Sequence, residues 1–379
     1  MFLKSFERVN TALNFLEPDK VPIDLGGTQT GIHITAYKNL LKYLGLKDEI
    51  KIIDVNQQLA RPSEEILKLL NIDTRYVIPY QNIELKEVKP GYVGYKDIWG
   101  VVRGDKKEKK EILYLDIIEN PLACAKINDL DCYDWPNPND EKLFEYTKNE
   151  AKKIKETSDY AVVSKTVGVI FEACWKMRGM ENFLMDLITD RPFAEKMLDI
   201  MTQYQVNYCE GYLKAAGKYL DVIFTGDDLG MQNGPMVSPK IYRELIKPRQ
   251  KIVFDKIHSM TKAKICYHTC GSVLDFIDDF IEVGIDFLNP VQTSALNMEP
   301  DILKSRFKNR IGFWGGGVDS QKIFPFGNTE DVINDVKMRL KTFMPGGGFV
   351  FNSIHSIQPD VPAENIVATF KTANNFGRY

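Results

Sequence analysis

The sequence lacks the features that mark secreted, membrane-spanning and nucleic-acid-binding proteins. Its 6 cysteines in 379 residues have no compact disulfide spacing, which is typical of a reducing compartment. No uncharged stretch approaches the roughly 20 residues that a membrane helix needs, and the N-terminus has no apolar signal-peptide core. The net charge is -3 and no lysine or arginine cluster is interleaved with aromatic residues. We therefore expect a cytoplasmic protein that binds neither membranes nor nucleic acids.

The chain does contain enough apolar sequence for a sizeable core, since 44% of its residues are hydrophobic. After a loop at residues 136–139, short apolar runs alternate with helical segments of about 15 residues. These runs are residues 161–166, 222–225, 263–267, 287–290, 311–314 and 349–352. Together with residues 21–25 and one strand within residues 52–78, they supply the strands of an α/β fold, a parallel (β/α)8 TIM barrel.

The first 150 residues have a different texture and predict an N-terminal elaboration of that barrel. Helices are expected over residues 5–16, 34–44 and 63–70. Residues 80–116 predict a small antiparallel β insertion, with strands that include residues 84–88 and 112–116. We expect one domain over residues 1–379. The alternative, a doubly wound open sheet, would carry a glycine-rich phosphate fingerprint after an early strand, and residues 26–31 match that fingerprint too loosely.

A histidine and a cysteine end the run at residues 263–267. His268 and Cys270 are two positions apart, so their side chains point the same way along a strand. His355, which follows the last run, is expected at the same mouth of the barrel. Imidazole and thiolate ligands together favour zinc, and three protein ligands with one open position are typical of a catalytic site. Cys266, one step deeper on the same strand face, is an alternative ligand.

Polar residues follow most of the other runs, and each has a functional and a structural interpretation. Asp227 and Asp228 fit a catalytic acid, a metal ligand or a cap on the next turn. We predict that the substrate-binding side chains are Asp24, Gln29, Arg178, Asn289 and Asn352. For Arg178 the alternative interpretation is a salt bridge. The glycines at 315–317 fit either bare amides near an anion or a turn.

The chain resembles the uroporphyrinogen decarboxylase superfamily over its whole length, and within it the corrinoid-dependent methyltransferases. The resemblance is carried by residues 7–22, 183–186, 226–230, 238–243 and 352–365. It implies a single TIM barrel. In the decarboxylase branch an arginine-rich N-terminal segment grips the porphyrinogen carboxylates, but this chain has no arginine between Arg8 and Arg61. Decarboxylation of uroporphyrinogen is therefore not expected.

The methyltransferase branch has a His-x-Cys pair and a later cysteine as its zinc ligands. His268 and Cys270 match the pair, whereas His355 stands where the later cysteine would be, and decarboxylases also have a histidine near that place. The resemblance implies a zinc enzyme that moves a methyl group between a corrinoid and a thiol, methoxyl or methylamine compound. The corrinoid would be carried by a partner protein, because the chain has no Asp-x-His-x-x-Gly segment.

A different chemistry remains open beside methyl transfer. A metal-free decarboxylase or lyase would use Asp227 or Asp228 to protonate a carbon and His355 to orient a small carboxylate or tetrapyrrole. A binding protein for corrinoids or tetrapyrroles would keep the pocket but tolerate loss of His268 and Cys270. The sequence does not determine the direction of methyl transfer. It does not determine the oligomeric state either, and it is compatible with a homodimer.

Overall fold

The protein is described by a computed structural model that covers residues 3–109 and 111–379. Its strands in chain order are β1 (Ile32–His33), β2 (Ile52–Asp54), β3 (Leu59–Ala60), β4 (Thr74–Val77), β5 (Lys86–Lys89), β6 (Tyr92–Lys96), β7 (Val102–Lys106), β8 (Asp116–Glu119), β9 (Ala161–Ser164), β10 (Val222–Gly226), β11 (Gly230–Met231), β12 (Gly234–Pro235), β13 (Lys264–His268), β14 (Phe287–Asn289), β15 (Gly312–Trp314) and β16 (Phe349–Val350).

The helices are α1 (Ser5–Leu13), α2 (Ile34–Leu44), α3 (Glu64–Leu69), α4 (Asp129–Cys132), α5 (Glu141–Thr157), α6 (Phe171–Arg178), α7 (Met180–Thr189), α8 (Arg191–Ala216), α9 (Pro239–Ile241), α10 (Lys247–Met260), α11 (Ile277–Glu282), α12 (Pro300–Phe307), α13 (Ile323–Phe326), α14 (Thr329–Phe343) and α15 (Ala363–Phe376). Some of them begin with a capping side chain. Asp140, for example, accepts a hydrogen bond from Leu143 N at the start of α5. None of these helices is long and apolar enough to cross a membrane.

A curled parallel sheet forms the centre of the molecule, in the order β16-β15-β14-β13-β10-β9-β4. Residues 21–25 complete it between β16 and β4. Phe351 N donates to Pro22 O at 2.8 Å, Asp24 N donates to Phe351 O at 2.9 Å, and Asp73 N donates to Ile23 O at 2.8 Å. This segment makes only one ladder bridge, between Ile23 and Phe351, because Pro22 has no N–H to donate. The predicted TIM-barrel class is confirmed.

The barrel interior is an apolar cluster contributed by alternate residues of successive strands. Its members include Val163, Phe224, Cys266, Phe287, Trp314 and Val350. Helix α1 packs Val9 and Leu13 against the same cluster, and Gly348 N donates to Ala12 O at 3.1 Å. Because Gly348 precedes β16, α1 closes the amino end of the barrel. The carboxyl ends are thereby the open mouth at which chemistry is expected.

The β insertion is an antiparallel sheet in the order β5-β6-β7-β8. The predicted strand at residues 112–116 is wrong, since the last strand of this sheet begins at Asp116. The preceding residues are tied to the N-terminal region instead of to the sheet: Leu115 N donates to Asn56 O at 2.9 Å, and the His33 ring lies 3.2 Å from Leu113 O. Helix α1 also ends three residues before its predicted limit, at Leu13.

Candidate metal centre

Three potential metal ligands meet at the open mouth of the barrel. His268 is the last residue of β13, and Cys270 follows two positions later. Gly271, at φ 83°, allows the backbone to turn away directly after the cysteine. His355 comes from the loop after β16, and its ring lies 5.1 Å from the His268 ring, centroid to centroid. The sequence prediction that these three residues share a site is consistent with this placement.

The ligand atoms of the three residues lie within 4.8 Å of one another. The closest pair is Cys270 Sγ and His268 Nε2, 3.4 Å apart. Tetrahedral zinc, with bonds of about 2.0 Å to nitrogen and 2.3 Å to sulfur, requires its ligands to lie about 3.5 Å apart. His268 and Cys270 already have this spacing, and the third ligand would have to move closer by about 1 Å. The donor set therefore fits zinc.

The neighbouring strand fixes the orientation of the His268 ring. His268 Nδ1 lies 2.6 Å from Asn289 Oδ1, and Asn289 Nδ2 donates to Trp314 O at 2.9 Å. Because the amide nitrogen of Asn289 is committed to a carbonyl, its oxygen must accept, and His268 Nδ1 carries the proton. The lone pair of Nε2 then faces Cys270. A hydrogen-bonded partner behind a histidine is the usual support of a metal ligand.

His355 is held less favourably for coordination. Its Nδ1 accepts a hydrogen bond from Ser356 N at 2.7 Å, so the neutral ring carries its proton on Nε2. Its backbone has φ 63°, a strained value for a residue with a side chain. Burial and the neighbouring His268 lower the pKa of His355 to about 4. The ring is thus neutral at pH 7, as a ligand must be, but it must release Ser356 N or turn over before Nε2 can coordinate.

Asp228 completes the group around Cys270. Its Oδ1 accepts a hydrogen bond from Cys270 N at 2.8 Å and lies 3.9 Å from His268 Nε2. Burial, followed by the negative charge of Asp228 and of Glu172, raises the pKa of the Cys270 thiol well above its ordinary value. Without a cation this cysteine is a thiol, so a bound metal would have to displace its proton.

Asp227 has a different environment although it is adjacent to Asp228. Its Oδ1 accepts from Ile170 N at 3.1 Å and Glu172 N at 2.7 Å, and its Oδ2 accepts from Gln250 Nε2 at 3.0 Å. Burial raises its pKa to about 8. Two of these donors lie at the start of α6, so Asp227 supports the N-terminus of that helix instead of capping the turn that follows it, which was the alternative predicted from the sequence.

Cys266 lies apart from the three ligands. It packs in the apolar interior cluster beside Phe287 and Trp314, and burial raises the pKa of its thiol well above the ordinary value. The group of potential ligands found among the described residues comprises His268, Cys270 and His355. The geometry thus favours His355 over Cys266 as the third ligand.

Asp24 lies inside the barrel, and its carboxylate is surrounded by donors. Thr74 Oγ1 donates to it, Tyr76 Oη donates at 3.0 Å and Trp314 Nε1 donates at 2.8 Å. Burial raises the pKa of Asp24 to about 6. Asn352 Nδ2 donates to the backbone oxygen of Asp24 at 2.7 Å, whereas its buried Oδ1 has no hydrogen-bond partner in the described part of the chain. The side-chain oxygen of Asn352 is therefore available to a ligand, whereas the carboxylate of Asp24 is occupied by donors of the protein.

Gln29 and Arg178 are two further predicted substrate contacts, and they lie in different places. Gln29 Oε1 accepts from Thr28 Oγ1 at 2.7 Å and from Thr166 Oγ1 at 2.9 Å, at the mouth near the end of β9. Arg178, by contrast, pairs with Asp186 at 2.7 Å and donates to carbonyl oxygens in the loop before α4. Arg178 has the salt bridge that the sequence offered as its alternative, so its guanidinium group is not free to bind a substrate.

The glycines at 315–317 form a turn whose amides are occupied by backbone oxygens. Gly315 N donates to Val350 O at 3.0 Å, Gly316 N donates to Pro290 O at 2.9 Å, and Gly317 N donates to Asn352 O at 2.8 Å. They have no amide left for an anion. The turn alternative therefore describes this segment.

Lys165 is a site candidate that was not predicted from the sequence. It directly follows β9 at the carboxyl end of the barrel, and the sequence run 161–166 already contained it. The signal was therefore present, but a lysine at the end of an apolar run suggests a solvated strand end as readily as a ligand.

Comparisons with known proteins agree with this architecture. The family model described as uroporphyrinogen decarboxylase (URO-D) matches residues 117–376. A curated uroporphyrinogen decarboxylase from Rickettsia massiliae is 23% identical over 243 residues, which are 61% of this chain and 64% of that protein. This chain thus matches less than two thirds of that relative's length. The solved structure of a methyltransferase from Methanosarcina mazei is similar with a TM-score of 0.62 and 18% identity, over 99% of both chains.

Proposed function

Because the chain belongs to the uroporphyrinogen decarboxylase family, we propose that it is a zinc-dependent methyltransferase within that family. It moves a methyl group between a corrinoid, carried by a partner protein, and a small molecule such as a thiol, methoxyl or methylamine compound. The observation that carries the proposal is the convergence of two imidazoles and a thiol within 4.8 Å at the barrel mouth. The full-length fold similarity to a protein described as a methyltransferase supports it.

The absence of an arginine-rich N-terminal segment favours methyl transfer over decarboxylation. The segment that enters the barrel after α1 has the sequence Val-Pro-Ile-Asp-Leu-Gly-Gly over residues 21–27. Its one acidic residue, Asp24, accepts hydrogen bonds from Thr74, Tyr76 and Trp314. A polycarboxylate such as a porphyrinogen requires several fixed cations. This segment supplies none.

Each residue of the centre has a distinct role in the proposal. His268, Cys270 and His355 hold zinc, and Asn289 keeps the Nε2 lone pair of His268 directed at it. Zinc, when bound, supplies the Lewis acidity that lowers the pKa of a thiol or polarises a methoxyl oxygen. Asp228 accepts the proton that an acceptor thiol loses, or would be a further ligand of the metal. Asn352 Oδ1 accepts a hydrogen bond from the small molecule.

The decisive experiment measures metal content and methyl transfer in the same preparations. We expect about one zinc per wild-type chain by inductively coupled plasma mass spectrometry, and transfer of the methyl group from methylcobalamin to one or more of a panel of thiols. Cys270→Ser should lose both. Cys124→Ser, which removes an exposed thiol, is the matched control and should keep both.

The opposite result would identify the metal-free alternative. A wild-type protein that contains no metal after purification without chelator, or a zinc-free Cys270→Ser protein with full activity, contradicts the zinc proposal. In that case Asp227, Asp228 and His355 become the residues to test for protonation of a carbon in a small carboxylate, since that reaction needs an acid and a neutral imidazole but no metal.

A further inference from the structure

A cavity lies beside the barrel mouth, under the antiparallel sheet. Its volume is about 340 Å³ and its lining includes Trp99, Arg103, Lys165, Tyr204 and Tyr208. Lys165 and the residues after it belong to the loop between β9 and α6, the two tyrosines belong to α8, and the other two residues belong to the insertion. The cavity is large enough for a small molecule of about ten to fifteen non-hydrogen atoms.

Lys165 faces this cavity without a protein partner. Across residues 3–109 and 111–379 its ammonium group makes neither a hydrogen bond nor an ion pair, and Nζ lies 5.3 Å from the centroid of the Tyr208 ring. Burial lowers the pKa of Lys165 to about 8. Lys176 lines the same cavity but pairs with Glu172. A half-buried ammonium group without a partner is stabilised when an anion neutralises it.

The two carboxylates in the cavity wall are occupied by backbone amides. Asp97 Oδ1 accepts from Trp99 N at 2.9 Å and from Val101 N at 3.0 Å. Asp140 caps α5 through Leu143 N. Asp97 Oδ2 lies 3.7 Å from Arg103 Nε, too far for a hydrogen bond, and that buried Nε has no other partner within the described residues. These two carboxylates equal Lys165 and Arg103 in charge, so the cavity has an excess of unpaired N–H and O–H donors and not of positive charge.

An aromatic wall and one unused hydroxyl complete the lining. The rings of Tyr204 and Tyr208 are stacked at 6.1 Å with an angle of 13°, and the edge of Trp99 contacts Tyr204 at 4.6 Å between centroids. Tyr208 is only 9% exposed, yet its hydroxyl has no hydrogen-bond partner in the part of the chain that the structure describes. A buried hydroxyl without a partner is uncommon in native proteins and points to a missing ligand or water.

We propose that this cavity binds a small molecule with a carboxylate group and a flat apolar body. Lys165 neutralises the carboxylate, Tyr208 Oη and Arg103 Nε donate hydrogen bonds, and the aromatic rings pack against the apolar body. A neutral ligand of the same shape would leave the ammonium group unpaired and bind more weakly.

The cavity adjoins the candidate metal centre. Thr166, which lines it, lies 3.3 Å from Thr28 between hydroxyl oxygens. Thr28 O in turn accepts from Ser356 Oγ at 3.3 Å, and Ser356 follows His355. Carboxylate binding itself needs no metal and no methyl group. Only the further step, that the bound carboxylate anchors the small-molecule partner in methyl transfer, rests on the proposed function.

The test uses 4-fluorobenzoate as the probe and 4-fluorobenzamide as its neutral counterpart, with binding to the full chain followed by ¹⁹F NMR. Lys165→Met should weaken 4-fluorobenzoate binding about 10- to 100-fold and Tyr208→Phe about 3- to 10-fold. Neither variant should change the weaker binding of the amide by more than about twofold. Lys142→Met, which removes an exposed lysine from α5, is the charge control and should bind like wild type.

A thermal melt separates a ligand site from a structural role. Because Lys165 is half-buried without a partner, Lys165→Met should raise the melting temperature while it lowers affinity. Equal binding of benzoate and benzamide, unchanged affinity in Lys165→Met, or a Lys165→Met protein that melts at a lower temperature would each overturn the proposal. Cys270→Ser should bind the probe like wild type, so failure of methyl transfer would leave this result untouched.

The affinity should also depend on pH with a defined sign. Groups that face Lys165 are Asp140 from α5, Tyr208 and Cys209 from α8, Asp97 and Arg103 from the insertion, and Lys176 with Glu172 from α6. Since the ammonium form is needed, probe affinity should be constant between pH 6 and about 7 and fall above pH 8 toward that of Lys165→Met. Affinity that stays constant to pH 10 contradicts the role of Lys165.

Discussion

Two polar clusters at the barrel axis differ in how their hydrogen bonds are distributed. Around Asp24 the carboxylate accepts from Thr74, Tyr76 and Trp314, so one acceptor group satisfies donors from two strands. Around His268 and Cys270 the arrangement is reversed, because lone pairs and a thiol face one another across 3.4 Å. The first cluster is complete within the protein, whereas the second gains most from a cation.

This difference in hydrogen bonding distinguishes polar residues that stabilise the fold from polar residues that bind a metal at the same barrel mouth. A complete cluster should control stability and leave ligand binding unchanged. A cluster of converging lone pairs should control metal binding and contribute little to folding in the absence of metal. Substitutions in the two clusters should therefore have opposite profiles.

The largest effect on folding is expected for Asp24→Ala. It leaves Thr74, Tyr76 and Trp314 as buried donors without an acceptor, and each such donor costs about 1–3 kcal/mol. The free energy of unfolding, measured by urea denaturation in the presence of chelator, should fall by about 3 kcal/mol or more. Zinc content per folded chain should remain that of wild type.

Asp24→Asn is the matched control, because it keeps one carboxamide oxygen as an acceptor. Its loss of stability should be smaller than that of Asp24→Ala. If Asp24→Ala instead kept its stability and lost zinc, the two clusters would have exchanged roles and the comparison would be wrong.

A smaller effect, confined to metal binding, is expected for Asn289→Ala. The substitution removes the acceptor that holds the proton on His268 Nδ1, so zinc affinity should fall about 10- to 100-fold. Competition with a chromophoric chelator measures this change. Asn289→Asp, which retains an acceptor for Nδ1, should recover most of the affinity, and equal affinity in both variants would show that the ring orientation does not depend on residue 289.

The barrel was predictable because its strands are short apolar runs between long helices. The run at residues 263–267 differs by one residue from β13 (Lys264–His268), and the run at 222–225 differs by one from β10 (Val222–Gly226). The strand predicted at 112–116 failed because Leu115 is bound to Asn56, a long-range contact that local propensity does not encode. The position of residues 21–25 in the ring likewise depends on Phe351, which is remote in sequence.

The site was predictable only where local geometry decides it. His268 and Cys270 share a face because of the two-residue period of a strand. The role of Arg178 depends on its pairing with Asp186, and that of Lys165 on an insertion that encloses it. Both are set by tertiary packing. No spacing rule in the sequence distinguishes a partnered cation from one without a partner.

The smallest effects should come from the adjacent acids, which test the comparison within a single dipeptide. Asp227→Ala leaves Ile170 N and Glu172 N unpaired at the start of α6, so stability should fall by about 1–2 kcal/mol with little change in zinc affinity. Asp228→Ala removes an acceptor from Cys270 N at a side chain that is 31% exposed, where water can replace it, so stability should change by less than about 0.5 kcal/mol. Its zinc affinity should nevertheless fall about tenfold, since Asp228 lies beside both proposed ligands. Urea denaturation in chelator and zinc competition on the same two proteins measure both quantities. Neighbouring side chains point in different directions, so Asp227→Ala should mainly lower stability and Asp228→Ala should mainly lower zinc affinity. If both variants lost stability and zinc affinity to the same extent, the two acids would act as one unit, and Asp228 would not belong to the metal-binding cluster alone.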